Sequence, residues 1–193
     1  MLFRSKVKKI GITGGIGSGK TIVCKFIETL NYPIFYADIE AKKILDFNIK
    51  AKNQIIDAFG DVYKNGIADR RKIANIVFNN KFMLEKLNSI IHPILLQNFD
   101  EWCLEQKTNS LVFMEAAILF ENNFQNCVDY SVLVYAPIQK RIERTTKRDH
   151  IDKLFVMERI KNQACQEDLI EMADFLLIND DEHLVVQIGR AHV

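Results

Sequence analysis

Lys9-Ile10-Gly11-Ile12-Thr13-Gly14-Gly15-Ile16-Gly17-Ser18-Gly19-Lys20-Thr21-Ile22 constrains this 193-residue chain more than any other segment. Residues 9–13 read as a short buried strand. With no spacer they run into Gly14, Gly19, Lys20 and Thr21 at the G-x-x-x-x-G-K-[ST] spacing of a phosphate-binding loop. Glycines there let successive backbone N–H groups turn toward phosphate oxygens, and the helix expected next adds the positive end of its dipole. Lys20 would then reach the β- and γ-phosphates of a nucleotide, and the Thr21 hydroxyl would ligate the accompanying Mg²⁺. The expected nucleotide cradle is Gly15, Ile16, Gly17, Ser18, Gly19, Lys20, Thr21 and Ile22. A dinucleotide fingerprint also needs a strand and glycines, but Lys20-Thr21 is what a phosphate site with metal requires. No NKxD-like guanine reader is present, and Asn179-Asp180-Asp181-Glu182 does not supply one.

Outward from this loop, five short apolar runs read as strands, at 9–13, 34–37, 111–114, 130–135 and 175–178, with helical segments between them. Strands alternating with helices imply an α/β fold with a parallel sheet covered on both faces. Residues 39–110 show helical periodicity (Ile55-Ile56-Phe59, Ile73-Ile76-Val77, Leu84-Leu87-Ile91) and no convincing strand, so they are expected to form a helical insertion. Residues 138–161 carry eight Lys/Arg against four Asp/Glu in a chain whose totals are 26 and 25. The near-neutral total gives no reason to expect nucleic acid or a membrane as partner. No apolar run nears the roughly 18 residues of a membrane span, and the four dispersed cysteines suit a reducing cytoplasm better than a disulfide or zinc scaffold. Phe82, Phe99, Trp102, Phe113 and Phe120 are expected in the core. The last six residues, Ile188-Gly189-Arg190-Ala191-His192-Val193, are what one frame of a common sequencing-library adapter encodes. The expected native sequence therefore ends near Gln187, where residues 184–187 read as the start of an amphipathic helix.

Asp38 closes the second run and opens a helix. At the carboxyl end of a parallel strand a carboxylate faces the ligand crevice and can accept a hydroxyl proton; equally, Asp is a good helix N-cap. The two roles are compatible.

Taken with Leu87-Asn88, His92-Pro93, Ile118-Leu119-Phe120-Glu121, Ala173-Asp174-Phe175 and Asn179-Asp180, these features resemble the dephospho-CoA kinase family over nearly the whole chain. The resemblance implies a three-layer P-loop NTPase core with a five-stranded parallel sheet (7–38 and 108–187), a helical CoA-binding insertion (about 39–107) and a lid (about 138–161). It implies transfer of the ATP γ-phosphate to the ribose 3′-hydroxyl of dephospho-CoA. It makes Asp38 the general base, Lys42, Arg70 and His92 contacts to the substrate, and Glu115 a carboxylate holding Mg²⁺ through water. Arg144 and Arg148 match the family's lid pattern, and Gln163 its glutamine after the lid. The family's first Asp before Asp38 is Tyr36 here, Glu115 lacks the following Pro, and Gln166-Glu167-Asp168 stands where the family usually has an arginine. A monomer or weak homo-oligomer is expected. Two other readings share the loop: a different small-metabolite or nucleoside kinase on the same core, and a nucleotide-binding regulator without turnover.

Overall fold

The computed structural model describes residues 7–78 and 80–182 and the backbone of 188–190. Contacts divide it into two units, one built from residues 1–36 and 106–193 and the other from 37–105.

The first unit contains the sheet. Strands β1 (Lys8–Thr13), β2 (Ile34–Tyr36), β5 (Leu111–Glu115), β6 (Tyr130–Tyr135) and β7 (Phe175–Ile178) are parallel, in the order β2-β5-β1-β6-β7. Each of the five expected runs is a strand, with ends shifted by one residue at most; Ala37 belongs to the following helix instead of β2. A sixth strand, β8 (Ile188–Arg190), adds antiparallel to β7. The terminal peptide thus begins as strand, and the helix expected at 184–187 lies outside the described residues. Chain order reverses at β1, which has β5 on one side and β6 on the other. That is the topological switch point at which α/β sheets open a crevice at their strand ends. Helix α1 (Lys20–Thr29) buries Val23 and Cys24 against Ile12, Val134 and Leu177, so the residues after the loop are clamped to the middle of the sheet. Asp174 splices β6 to β7: its Oδ2 accepts from both Ser131 N and Ser131 Oγ at 2.8 Å.

The second unit is helical, with α2 (Ala37–Phe47), α3 (Ile49–Phe59), α4 (Arg70–Val77) and the 25-residue α5 (Lys81–Glu105). Its buried side chains include Ile44, Ile55, Ile73, Leu95 and Phe99. Contrary to the strand-free expectation, it also contains a hairpin of β3 (Tyr63–Lys64) and β4 (Ile67–Ala68). The turn is Asn65-Gly66, both at positive φ (51° and 82°), the combination that a two-residue hairpin favours. Two-residue strands are too short to show alternation, which hides them in the sequence. Phe82 is 73% exposed and is not core, while Phe99 and Phe120 are buried. Among the described residues no helix is long and apolar enough to cross a membrane.

Candidate functional site

The loop expected to bind phosphate runs from the end of β1 to the start of α1 and sits at the switch point. Its conformation is set by internal bonds: Ser18 N donates to Gly15 O at 3.1 Å, Ile22 N to Gly19 O at 2.9 Å, and Lys20 Nζ to Gly14 O at 2.5 Å. Ile16 N donates instead to Gln163 Oε1 at 2.8 Å. The N–H groups of Gly17 and Gly19 have no acceptor among the described residues. Unclaimed amides beside a lysine and a helix N-terminus are the donors an anionic phosphate needs. Gly17 has φ 78°, and a Cβ there would meet the Arg141 carbonyl and lie 2.7 Å from Thr145 Oγ1. No side chain fits.

Glu115 ends β5 beside Ile12 of β1 and Tyr36 of β2. Cys24 senses both Glu115 and Lys20: burial, then the Glu115 carboxylate, pushes its thiol up to about 12, with Lys20 opposing. The ammonium and the carboxylate therefore flank one small region at the base of α1. Thr21 is exposed in the first turn of that helix. Thr21 and Glu115 offer hard oxygen donors of the kind Mg²⁺ selects, and no cluster of three His, Cys, Asp or Glu among the described residues forms a metal cage. This donor set suits a cation that arrives with the nucleotide. Tyr36, where the family has an acid, turns to α1: its hydroxyl donates to Glu28 Oε1 at 3.0 Å, and burial together with this bond raises the phenol's pKa.

The lid stretch comprises α6 (Ile138–Asp149) and α7 (Lys153–Lys161). Arg144 and Arg148 lie one turn apart on α6 but have different partners. Arg144 Nη2 donates to Asp181 Oδ1 at 2.5 Å, with Lys140 3.3 Å from the same carboxylate; Arg144 and Lys140 hold that carboxyl below its usual range. Arg148 forms a fork with Asp149 at 2.7 and 3.0 Å, and Arg159 approaches Asp149 at 3.7 Å.

Three side chains that composition and spacing leave unassigned grip the loop. Arg141, 5% exposed, donates from Nε to Ile16 O at 3.0 Å and from Nη2 to Gln163 Oε1 at 3.2 Å. Gln163 receives the Ile16 N–H, and Asn179 Nδ2 donates to Ser18 O at 2.8 Å. These partners lie 125, 147 and 161 positions from the loop, so no local pattern reveals them. For Gln163 and Asn179 the family resemblance is the available signal.

The helical unit carries the other expected residues. Asp38 lies two residues past the end of β2 and is not an N-cap: α2 already begins at Ala37, and Asp38 is an exposed acid in its first turn. Lys42 is exposed on α2. Arg70 is the first residue of α4, capped by Asp69, whose side chain accepts from Lys72 N at 3.1 Å; Arg70 Nη2 lies 2.6 Å from Asp46 Oδ2. His92 is half-buried in the middle of α5 with Pro93 after it, and burial lowers its pKa. It is neither a cap nor a terminus.

Comparison with known proteins identifies the family of this fold. The dephospho-CoA kinase family model matches residues 8–184. The dephospho-CoA kinase of Bacteroides fragilis is 36% identical over 182 residues, covering 93% of this chain and 89% of its own. A solved structure from Thermus thermophilus superposes with TM-score 0.81 at 29% identity, covering 90% and 88% of the two chains. The solved dephospho-CoA kinase from Campylobacter jejuni gives 0.66 at 25% identity, covering 91% and 89%. The chain belongs to the dephospho-CoA kinase family.

Proposed function

We propose that this chain transfers the γ-phosphate of ATP to the ribose 3′-hydroxyl of dephospho-CoA, forming coenzyme A and ADP. The observation that carries the reading is the phosphate loop. Gly17 and Gly19 present unclaimed N–H groups next to Lys20 and the N-terminus of α1, at the switch point of a sheet whose family phosphorylates this substrate.

In this reading the loop residues 15–22 hold the ATP phosphates, and Lys20 offsets charge on the β- and γ-phosphates. Thr21 and Glu115 would hold Mg²⁺, which supplies charge neutralisation between phosphate oxygens when bound. Asp38 accepts the 3′-hydroxyl proton as its oxygen attacks phosphorus in line. Arg144 and Arg148 exchange Asp181 and Asp149 for the transferring phosphoryl group, a type of contact worth roughly 10³–10⁵-fold in related chemistry. Lys42, Arg70 and His92 contact the acceptor nucleotide. Residues 138–161 act as the lid. A cytoplasmic location fits four free cysteines, and the expected species is a monomer or weak homo-oligomer.

The test is ADP release with dephospho-CoA, adenosine, shikimate and nucleoside monophosphates offered separately. Turnover with dephospho-CoA alone is the expected result. Turnover with any of the others and none with dephospho-CoA refutes the assignment.

A further inference from the structure

Arg141 stands apart from the other basic residues of α6. A buried guanidinium is expensive unless its donors are matched, and here Nε is matched to the phosphate loop and Nη2 to a side chain that also holds the loop. The Ile16 carbonyl takes Nε, Gln163 Oε1 takes Nη2, and the same Gln163 oxygen takes the Ile16 N–H. Both polar groups of the Ile16 backbone are thus bound into a closed ring with two side chains. Burial lowers the pKa of Arg141 and nearby Glu167 raises it, but arginine stays charged at any working pH. Around the same turn, α6 presses its backbone and the wholly buried Thr145 against Gly17, and a Cβ at Gly15 would strike Nη2. The first two turns of α6, which contain Arg144 between Arg141 and Thr145, are therefore seated on the loop.

We propose that Arg141 and Gln163 are positioning residues for the phosphate loop, holding the Ile16 peptide outward so that the Gly17 and Gly19 amides stay aimed at nucleotide phosphate. Loop shape and the placement of the α6 arginines are thereby coupled through one guanidinium. Preorganised donors bind phosphate without first being ordered, which is where such a brace gains affinity. A lysine keeps the charge but has no planar fork, so it lacks the two separate nitrogens that here meet Ile16 O and Gln163 Oε1 in one fixed geometry.

The inference rests on Gly14–Thr21 being an ATP site and is independent of the acceptor, so it is tested by equilibrium binding of ATP alone and then by steady-state kinetics. Wild-type protein that binds no ATP would sink the site reading itself. Given wild-type binding, Arg141→Ala is expected to raise the ATP Kd at least tenfold and Gln163→Ala at least threefold. The double variant should be no weaker than Arg141→Ala by more than twofold, because both remove one ring. The KM for the acceptor should stay within twofold, and exchange of the Ile16 amide hydrogen should accelerate in each variant. Arg141→Lys should recover less than half of the loss on a logarithmic scale. Full recovery by lysine overturns the proposal, since charge alone would then suffice; so does an unchanged ATP Kd in a folded Arg141→Ala protein. If no variant at either position folds, the pair is a structural element and the proposal falls.

Discussion

Gly17 in the phosphate loop and Gly66 in the β3–β4 hairpin both lie at positive φ, 78° and 82°, but their surroundings differ. Around Gly17 the Arg141 carbonyl and the Thr145 hydroxyl fill the space a Cβ would take; around Gly66 the nearest such atom is Lys52 Nζ at 3.8 Å. One glycine is required by backbone angle and by close packing together. The other is required by angle alone. The contrast extends to the units that contain them. The loop of the sheet unit is braced from distant chain segments, whereas the hairpin of the helical unit is a local turn with a lysine, Lys52, resting on Tyr63, its Nζ 4.9 Å from the ring centroid.

The largest effect is therefore expected at Gly17→Ala. Left-handed backbone costs about 1–2 kcal/mol for a residue with a Cβ, and overpacking adds about 1–3 kcal/mol. The displaced α6 contacts should also abolish measurable ATP binding. Chemical denaturation and ATP titration of the same preparation check both halves. Wild-type affinity in Gly17→Ala would show that the loop tolerates repacking and would erase the distinction from Gly66.

The second expectation separates the units by function. Asp38→Asn in the helical unit should cut turnover roughly 10²–10⁴-fold, the range for loss of a general base, while the ATP Kd stays within twofold. A parallel loss of ATP affinity would break the division of labour, and unchanged turnover would remove Asp38 from the base role.

What is legible in the sequence divides along similar lines. The phosphate loop and five strands can be read because their constraints are local: fixed spacing around Lys20, and apolar runs bounded by helices. Arg141 reads in sequence only as one of the eight Lys/Arg of residues 138–161, because burial by a loop 125 positions away leaves no trace in helical periodicity. Asn65-Gly66 is a readable turn signal, obscured because its strands hold two residues each. Phe82 reads as core by composition, yet it stands on the first turn of α5, ahead of the turns that pack Ile90, Leu95 and Phe99.

The third expectation applies the contrast directly. Gly66→Ala incurs the backbone cost without the packing cost, so it should lower stability by about 1–2 kcal/mol and leave ATP affinity unchanged. A loss equal to that of Gly17→Ala, measured under the same denaturant conditions, would mean that neighbouring atoms matter less than backbone angle.

The smallest effect concerns pH. The buried ionisable groups beside the phosphate loop hold one state through neutrality: Arg141 stays charged, and Cys24, pushed up to about 12, stays a thiol. In the helical unit His92 behaves differently, because burial lowers its pKa from the ordinary 6.5. When pH falls below 6.5, an unfolded chain takes up this proton before the folded one does, so the unfolded state binds more protons and stability declines. The decline begins as pH falls through the unfolded value and is complete only below the lowered folded value. Thermal melts from about pH 7.5 down to about pH 5, a range that brackets histidine titration, should therefore show a downward slope in the wild type that is shallower in His92→Gln. The glutamine side chain has no proton to gain, so an identical slope in both proteins would assign the acid sensitivity to carboxylates elsewhere. An upward slope would mean that a neighbouring group favours the imidazolium, which contradicts burial as the dominant influence on His92.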